Sequence, residues 1–157
     1  LSLHDALPIL VGVAGALDPT LQLGAVVIPA HWVNHQAGAM RPDGFHPVVT
    51  AYDADSQWLN LAHALPDVLT GGVGVSGDIF VNDPATRERL NVSFSARIID
   101  MESAAVAQVA AHNAVPFMVI RAVSDTAGGQ AEHEISGSLD AAIRAACDAL
   151  RGILRGL

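Results

Sequence analysis

From Leu10 onward, short continuous apolar runs alternate with segments whose apolar residues recur three and four positions apart, the pattern of strands alternating with helices. The run Leu10-Val11-Gly12-Val13-Ala14 ends at Gly15, as a buried strand entering a tight loop would. A second stretch, Gly24 to Val33, contains Ala25-Val26-Val27-Ile28 and predicts another strand, with Pro29 limiting how far it stays in a central ladder. His35 to Asp55 is rich in Gly, Pro, Asp and His, lacks a clear period, and is expected to be a surface loop or insertion. Ser56 to Leu65 sets Trp58, Leu59, Leu61, Ala62 and Leu65 at helical spacing, and Pro66 stops it.

Gly71 to Ser76 predicts a short strand feeding Gly77-Asp78. Asp83 before Pro84 is a cap followed by a first-turn proline, so a helix is expected over Pro84 to Leu90. Ala96 to Ile99 predicts a brief strand, after which Asp100 opens a helix from Met101 to His112. Its Ala104, Val106, Ala107, Val109 and Ala110 make a nearly all-apolar surface that must pack on a sheet. Val115 to Val123 is apolar except for Arg121, as a central parallel strand covered on both faces would be. Gly128-Gly129 marks a mobile loop, and Leu139 to Leu157 predicts an amphipathic helix with Ala142, Ile143, Ala146, Cys147, Leu150 and Leu154 on one side. This is the element order of a layered α/β fold, with no linker or repeat.

Composition narrows the function classes. A chain of 157 residues, 51% hydrophobic and 15% charged, can build one globular core and is not a disordered or low-complexity sequence. The net charge is −8, from 16 acidic and 8 basic side chains, and every basic one is Arg. That balance argues against a nucleic-acid partner, which needs clustered positive charge. A single cysteine, Cys147, excludes an internal disulfide. No apolar run reaches the roughly 18 residues of a membrane-spanning helix, so no membrane partner is expected. The opening Leu1 to Ile9 back-translates to CTT TCC CTA CAC GAC GCT CTT CCG ATC, a common sequencing-library adapter, and is expected to be non-native, leaving residues 10–157 as the domain.

In open α/β sheets ligands bind beyond the carboxyl ends of the strands, so the polar residues that follow the apolar runs are the candidates. They fall in Gly12-Val13-Ala14-Gly15-Ala16, Val75-Ser76-Gly77-Asp78-Ile79-Phe80, Asp100-Met101-Glu102-Ser103 and Arg121-Ala122-Val123-Ser124-Asp125. A carboxyl at the mouth of a hydrophobic strand loses hydration and holds its proton more tightly, which suits Asp125 to general acid catalysis near neutral pH. The alternative is that Ser124 or Asp125 caps the next segment. Glu102 could serve the first turn of its helix through the macrodipole, or grip two neighbouring sugar hydroxyls with its two oxygens. Gly12 to Ala16 lacks the spacings of the phosphate-binding loops and the Lys that completes one of them. The His residues are scattered, no H-E-x-x-H or Cys pair occurs, and no metal site or cofactor is expected. No G-x-S-x-G elbow supports a Ser-His-Asp triad.

Taken together, in this order and spacing, the four segments resemble the nucleoside phosphorylase superfamily, and most closely its methylthioadenosine/S-adenosylhomocysteine nucleosidase branch. The most specific pieces are Met101-Glu102-Ser103-Ala104-Ala105 and Val115-Pro116-Phe117 followed by Arg121-Ala122-Val123-Ser124-Asp125. The resemblance implies a three-layer α/β/α domain on a mixed, largely parallel central sheet, and a homodimer in the cytoplasm. It implies cleavage of the bond between a purine and ribose in a small nucleoside substrate. Carried over by position, Asp125 would protonate N7 of adenine and Ser124 would hold that carboxyl. Glu102 would bind the ribose hydroxyls and Met101 would pack on the sugar. Phe80 would stack on the base, the backbone of Val81 would read the adenine edge, Arg121 would join the polar network, and the backbone of Ala14 would approach the water-binding end.

The resemblance also places the family's water-activating Glu upstream, in a part expected to be missing here together with the first strands, so the site of this chain alone is expected to be incomplete. An export signal would lie in that part as well and stays open. Phosphorolytic relatives carry an Arg and a Ser where Leu10 and Val13 stand, which favours water over phosphate as nucleophile. Asp100 stands where many nucleosidases have Glu. A phosphate-dependent phosphorylase, an inactive nucleoside-binding member, and an enzyme for another N-glycoside such as futalosine remain the alternatives.

Overall fold

The computed structural model describes residues 7–156. Of the opening segment read as non-native, residues 1–6 lie outside the described residues, whereas Ile9 pairs with Met118. In chain order the elements are β1 (Ile9–Ala16), β2 (Val26–Ile28), β3 (His31–Asn34), β4 (Gly38–Arg41), β5 (Gly44–Pro47), β6 (Ala51–Asp53) and α1 (Ser56–His63). There follow β7 (Val68–Thr70), β8 (Val73–Ser76), α2 (Pro84–Phe94), β9 (Ala96–Asp100), α3 (Ser103–His112), β10 (Met118–Asp125) and α4 (Ala131–Arg155).

Eight strands form one sheet in the order β6-β3-β8-β9-β1-β10-β2-β7. The pairs β1–β10, β2–β7, β3–β8 and β8–β9 are parallel, while β1–β9, β2–β10 and β3–β6 are antiparallel. Side chains alternate across each strand, and the alternation sorts the core into layers. Val119 and Val123 of β10, Trp32 of β3 and Ile98 of β9 face Ala104, Ala107 and Ala110 of α3. On the opposite face Met118, Ile120 and Ala122 meet Ala142, Ala146 and Ile153 of α4 and Ala62 of α1, while Val33, Val75 and Ile99 pack with Leu90 of α2. The three-layer α/β/α arrangement on a mixed sheet is therefore present, and β10 is buried over its whole length.

Several elements differ from the sequence expectation. The single strand expected over Gly24 to Val33 is two: Pro29 interrupts it, β2 joins β10 and β7, and β3 crosses to lie between β6 and β8. The expected loop His35 to Asp55 contains the β4–β5 hairpin and β6. The hairpin strands are mostly exposed on both faces, so nothing imposes an apolar alternation, and Gly44 with φ 125° supplies the turn. The three-residue β7 carries too little sequence to show a period. Helix α3 begins at Ser103 instead of Met101 because the Asp100 carboxylate takes the Glu102 and Ser103 amides. Helix α4 starts at Ala131, after Gly129 and the N-cap Gln130, and its polar first turns hid it behind the Gly pair.

Candidate active site

β10 delivers Asp125 to the carboxyl end of the sheet. Its register with β1 runs from Ala14↔Val123 to Gly15↔Asp125, so Ser124 is an extra residue and the strand bulges there. Bulges bend a strand and re-aim the side chain that follows. Asp125 is 3% exposed. Its Oδ2 accepts from Ser124 Oγ at 2.9 Å and its Oδ1 from the Ala127 amide at 2.9 Å. Both contacts donate to the carboxyl, which leaves a proton carried by Asp125 free for a ligand. A Cβ on the facing Gly15 would stand 2.9 Å from Asp125 Oδ1, so a larger residue there would push the carboxyl aside.

Burial pushes the Asp125 carboxyl above the usual carboxylate range, the Ala127 amide and Ser124 hydroxyl pull it back in part, and the charge of Glu134 adds to the rise. The capping alternative does not describe this residue: α4 begins six positions later, after Gln130, and Asp125 only closes the turn to Ala127.

Behind the Met101 loop lies a second buried carboxylate, Asp100. Its Oδ1 accepts from Ser76 Oγ at 2.5 Å, the Ser103 amide at 3.1 Å and the Glu102 amide at 3.3 Å. Its Oδ2 accepts from Arg121 Nε at 2.7 Å and from the Ser103 hydroxyl. Ser103 Oγ in turn accepts from Arg121 Nη2 at 2.9 Å, and Ser76 Oγ accepts the Ala104 amide at 2.9 Å. This cluster ties β8, β9, β10 and the start of α3 together with every hydroxyl both giving and receiving. Arg121 can lie across the sheet because its register partner is Gly12, where a Cβ would fall 2.1 Å from Arg121 Nη1.

Glu102 occupies the N-cap position of α3 but makes no side-chain cap bond. It points outward with its side chain 66% exposed and its Oε2 3.5 Å from Arg121 Nη2, so its oxygens remain open to a ligand. A cleft beside Asp125 is lined by Gly15, Ile79, Phe80, Val81, Ile99, Asp100 and Met101. Phe80 and Met101 are half-exposed at this cleft, where with Ile79 they present adjoining apolar surface.

The structure thus brings Asp125, Phe80, Val81 and Met101 to one cleft, with Ser124 bonded to Asp125 and Ala14 buried behind, its carbonyl 3.4 Å from Ser124 Oγ. Glu102 stands at the rim. Arg121 is 5% exposed and its guanidinium is engaged by Asp100 and Ser103, so it braces the site from inside. Sequence reasoning missed Asp100, Ser76 and Ser103 as its partners. The available signal was Arg121 itself, since a buried guanidinium inside an apolar strand demands a carboxylate. No group of three or more His, Cys, Asp or Glu residues suited to a metal ion occurs among the described residues.

A mixed sheet with an acid at the end of its buried strand, a second carboxylate at a helix start and an apolar cleft between them defines a class, and residues 7–156 match it: the chain belongs to the Phosphorylase superfamily. Within that class the chain is similar to nucleosidases. It is 33% identical over 155 residues to 5′-methylthioadenosine/S-adenosylhomocysteine nucleosidase of Staphylococcus carnosus, covering 93% of this chain and 68% of that protein. It is 35% identical over 143 residues to the enzyme of the same name from Tolumonas auensis, covering 85% and 62%. Among solved structures, the Helicobacter pylori nucleosidase of that name with butyl-thio-DADMe-Immucillin-A superimposes with a TM-score of 0.86 at 27% identity, covering 95% of this chain and 68% of the other. Futalosine hydrolase of Helicobacter pylori gives 0.86 at 28%, covering 95% and 67%. The chain spans about two thirds of the length of these proteins, 62% to 68%.

Proposed function

We propose that this chain carries the leaving-group and ribose sides of a purine nucleosidase that hydrolyses the N-glycosidic bond of adenine nucleosides such as 5′-methylthioadenosine and S-adenosylhomocysteine. The observation that carries the reading is the buried Asp125 carboxyl, which desolvation pushes above the usual carboxylate range and which faces a cleft with two half-exposed apolar side chains. Departure of a purine from ribose passes through an oxocarbenium-like state in which the base gains negative charge and the sugar positive charge. Asp125 gives its proton to N7 of the leaving base, while Ser124 orients the carboxyl. Glu102 accepts from the ribose hydroxyls and its fixed charge steadies the developing cation. Phe80 stacks on the base, Met101 packs on the sugar and the Val81 backbone meets the adenine edge. Arg121, through Asp100, holds the loop that bears Met101 and Glu102. The Ala14 backbone lies toward the end where water enters.

Hydrolysis is favoured over phosphorolysis because Leu10 and Val13 of β1 pack into the two apolar layers and offer no group to an anion. The homodimer and the cytoplasmic location implied by the family resemblance belong to the same proposal. No helix among the described residues is long and apolar enough to cross a membrane. The test is to incubate the product of the complete open reading frame with methylthioadenosine, with and without phosphate, and to follow free adenine. Release without phosphate is expected. Strict dependence on phosphate would select a phosphorylase, and tight binding without release would select an inert nucleoside binder. Futalosine run in parallel decides the 5′ substituent, and sedimentation of the same sample decides the dimer.

A further inference from the structure

Helix α4 folds back over the residues that flank Asp125. Glu134 Oε2 accepts the Thr126 amide at 2.7 Å, and Thr126 Oγ1 lies 3.1 and 2.9 Å from Glu134 Oε1 and Oε2. One turn further on, Ser138 Oγ donates to the Ser124 carbonyl at 2.6 Å. The chain on either side of Asp125 is thus tied to α4. From α2, Arg87 Nη1 donates to the Thr126 carbonyl at 3.3 Å, and ahead of α2 Asn82 Oδ1 accepts the Ala131 amide at 3.0 Å. An acidic residue in the first turn of a helix ordinarily answers the macrodipole. Glu134 has a second use, because its carboxylate takes both donors of Thr126.

We infer that Glu134 is a positioning residue for Asp125: by clasping Thr126 it fixes the turn that aims the Asp125 carboxyl into the cleft, and it sets a negative charge behind that carboxyl. This rests on the reading of Asp125 as the acid that protonates the leaving base. The charge of Glu134 adds to burial in making Asp125 hold its proton more tightly. Of the other charged groups on the elements around Asp125, Arg87 and Asp100 are bonded to other partners and Glu102 is largely solvated. Arg87 of α2 reaches the Thr126 carbonyl, Asp100 at the end of β9 is paired with Arg121 of β10, and Glu102 stands at the rim.

Glu134→Gln removes the charge while keeping an oxygen for the Thr126 amide. The measurement is a carbon-13 NMR titration of the side-chain carboxyls in this chain, with Asp125→Asn used to assign the Asp125 signal. With circular dichroism unchanged, the Asp125 midpoint is expected to shift to lower pH in E134Q; an unchanged or raised midpoint would overturn the inference. Should E134Q fail to fold, the unaltered chain decides. The Glu134 carboxyl carbon must then register the Asp125 titration as an additional step, and the lack of that step would overturn the coupling. In the product of the complete open reading frame, E134Q should move the high-pH loss of adenine release to lower pH. If adenine is never released although the midpoint shifts, the nucleosidase reading fails and the coupling stands. If adenine is released and the midpoint is fixed, the coupling fails and the nucleosidase reading stands.

Discussion

Arg121→Met isolates the contribution of the buried cluster. The Arg121 and Asp100 side chains are 6% and 2% exposed and meet at 2.7 Å, so the substitution strands a buried carboxylate. Breaking a buried ion pair from one side costs about 3–5 kcal/mol, because the remaining charge keeps its desolvation penalty without its partner. Asp100 retains the Ser76 and Ser103 hydroxyls and the Glu102 and Ser103 amides, which places the expected loss near the lower end, about 3 kcal/mol. The outward contact to Glu102 at 3.5 Å adds little, since Glu102 is largely solvated. For a domain of this size the full range corresponds to a fall of about 6–20 °C in Tm. Urea unfolding of the parent, Arg121→Met, Asp100→Asn and the double variant gives the coupling energy directly. The double variant should recover part of the loss, because no unpaired charge remains. Single variants within about 0.5 kcal/mol of the parent, or strictly additive losses, would show that the cluster does not hold the fold together.

Two further outcomes follow from the site. Glu102→Gln should weaken binding of substrates that carry both ribose hydroxyls and leave 2′- and 3′-deoxy analogues nearly unaffected; equal loss for all three sugars, measured with the product of the complete open reading frame, would remove Glu102 from ribose recognition. Asp125 binds its proton more tightly folded than unfolded, so its contribution to stability is full below the ordinary aspartate range and is lost as pH rises through its higher folded value. Asp125→Asn should abolish that decline, and urea midpoints that fall equally with pH in both proteins would contradict it.

The sequence showed the layers because the buried strands are long and uninterrupted: β10 from Met118 to Asp125 is buried throughout, and its apolar run was visible without any partner. The candidate site was legible for a related reason, since Asp125 ends β10 while Glu102 and Phe80 follow β9 and β8, at the strand ends where α/β sheets place ligands. What stayed hidden was set by contacts across the sheet. Pro29 limits the strand in Gly24 to Val33, but nothing there says that the chain crosses to the other side of the sheet, because Val26 to Ile28 and Trp32-Val33 are both buried apolar runs. The hairpin β4–β5 escaped since two exposed faces leave no period to read. The bulge at Ser124 and the bracing of Arg121 by Asp100 depend on register and reach, and Gly12 and Gly15 gain their meaning only when Arg121 and Asp125 stand opposite them.

The most direct measurement is single-turnover release of adenine by the product of the complete open reading frame carrying Asp125→Asn, alongside the affinity of that variant for methylthioadenosine. Proton transfer to the leaving base acts in the transition state, so the rate should fall by about 10²–10⁴-fold while affinity changes little. Release at the parental rate from the amide variant would contradict the assignment of Asp125 as the acid.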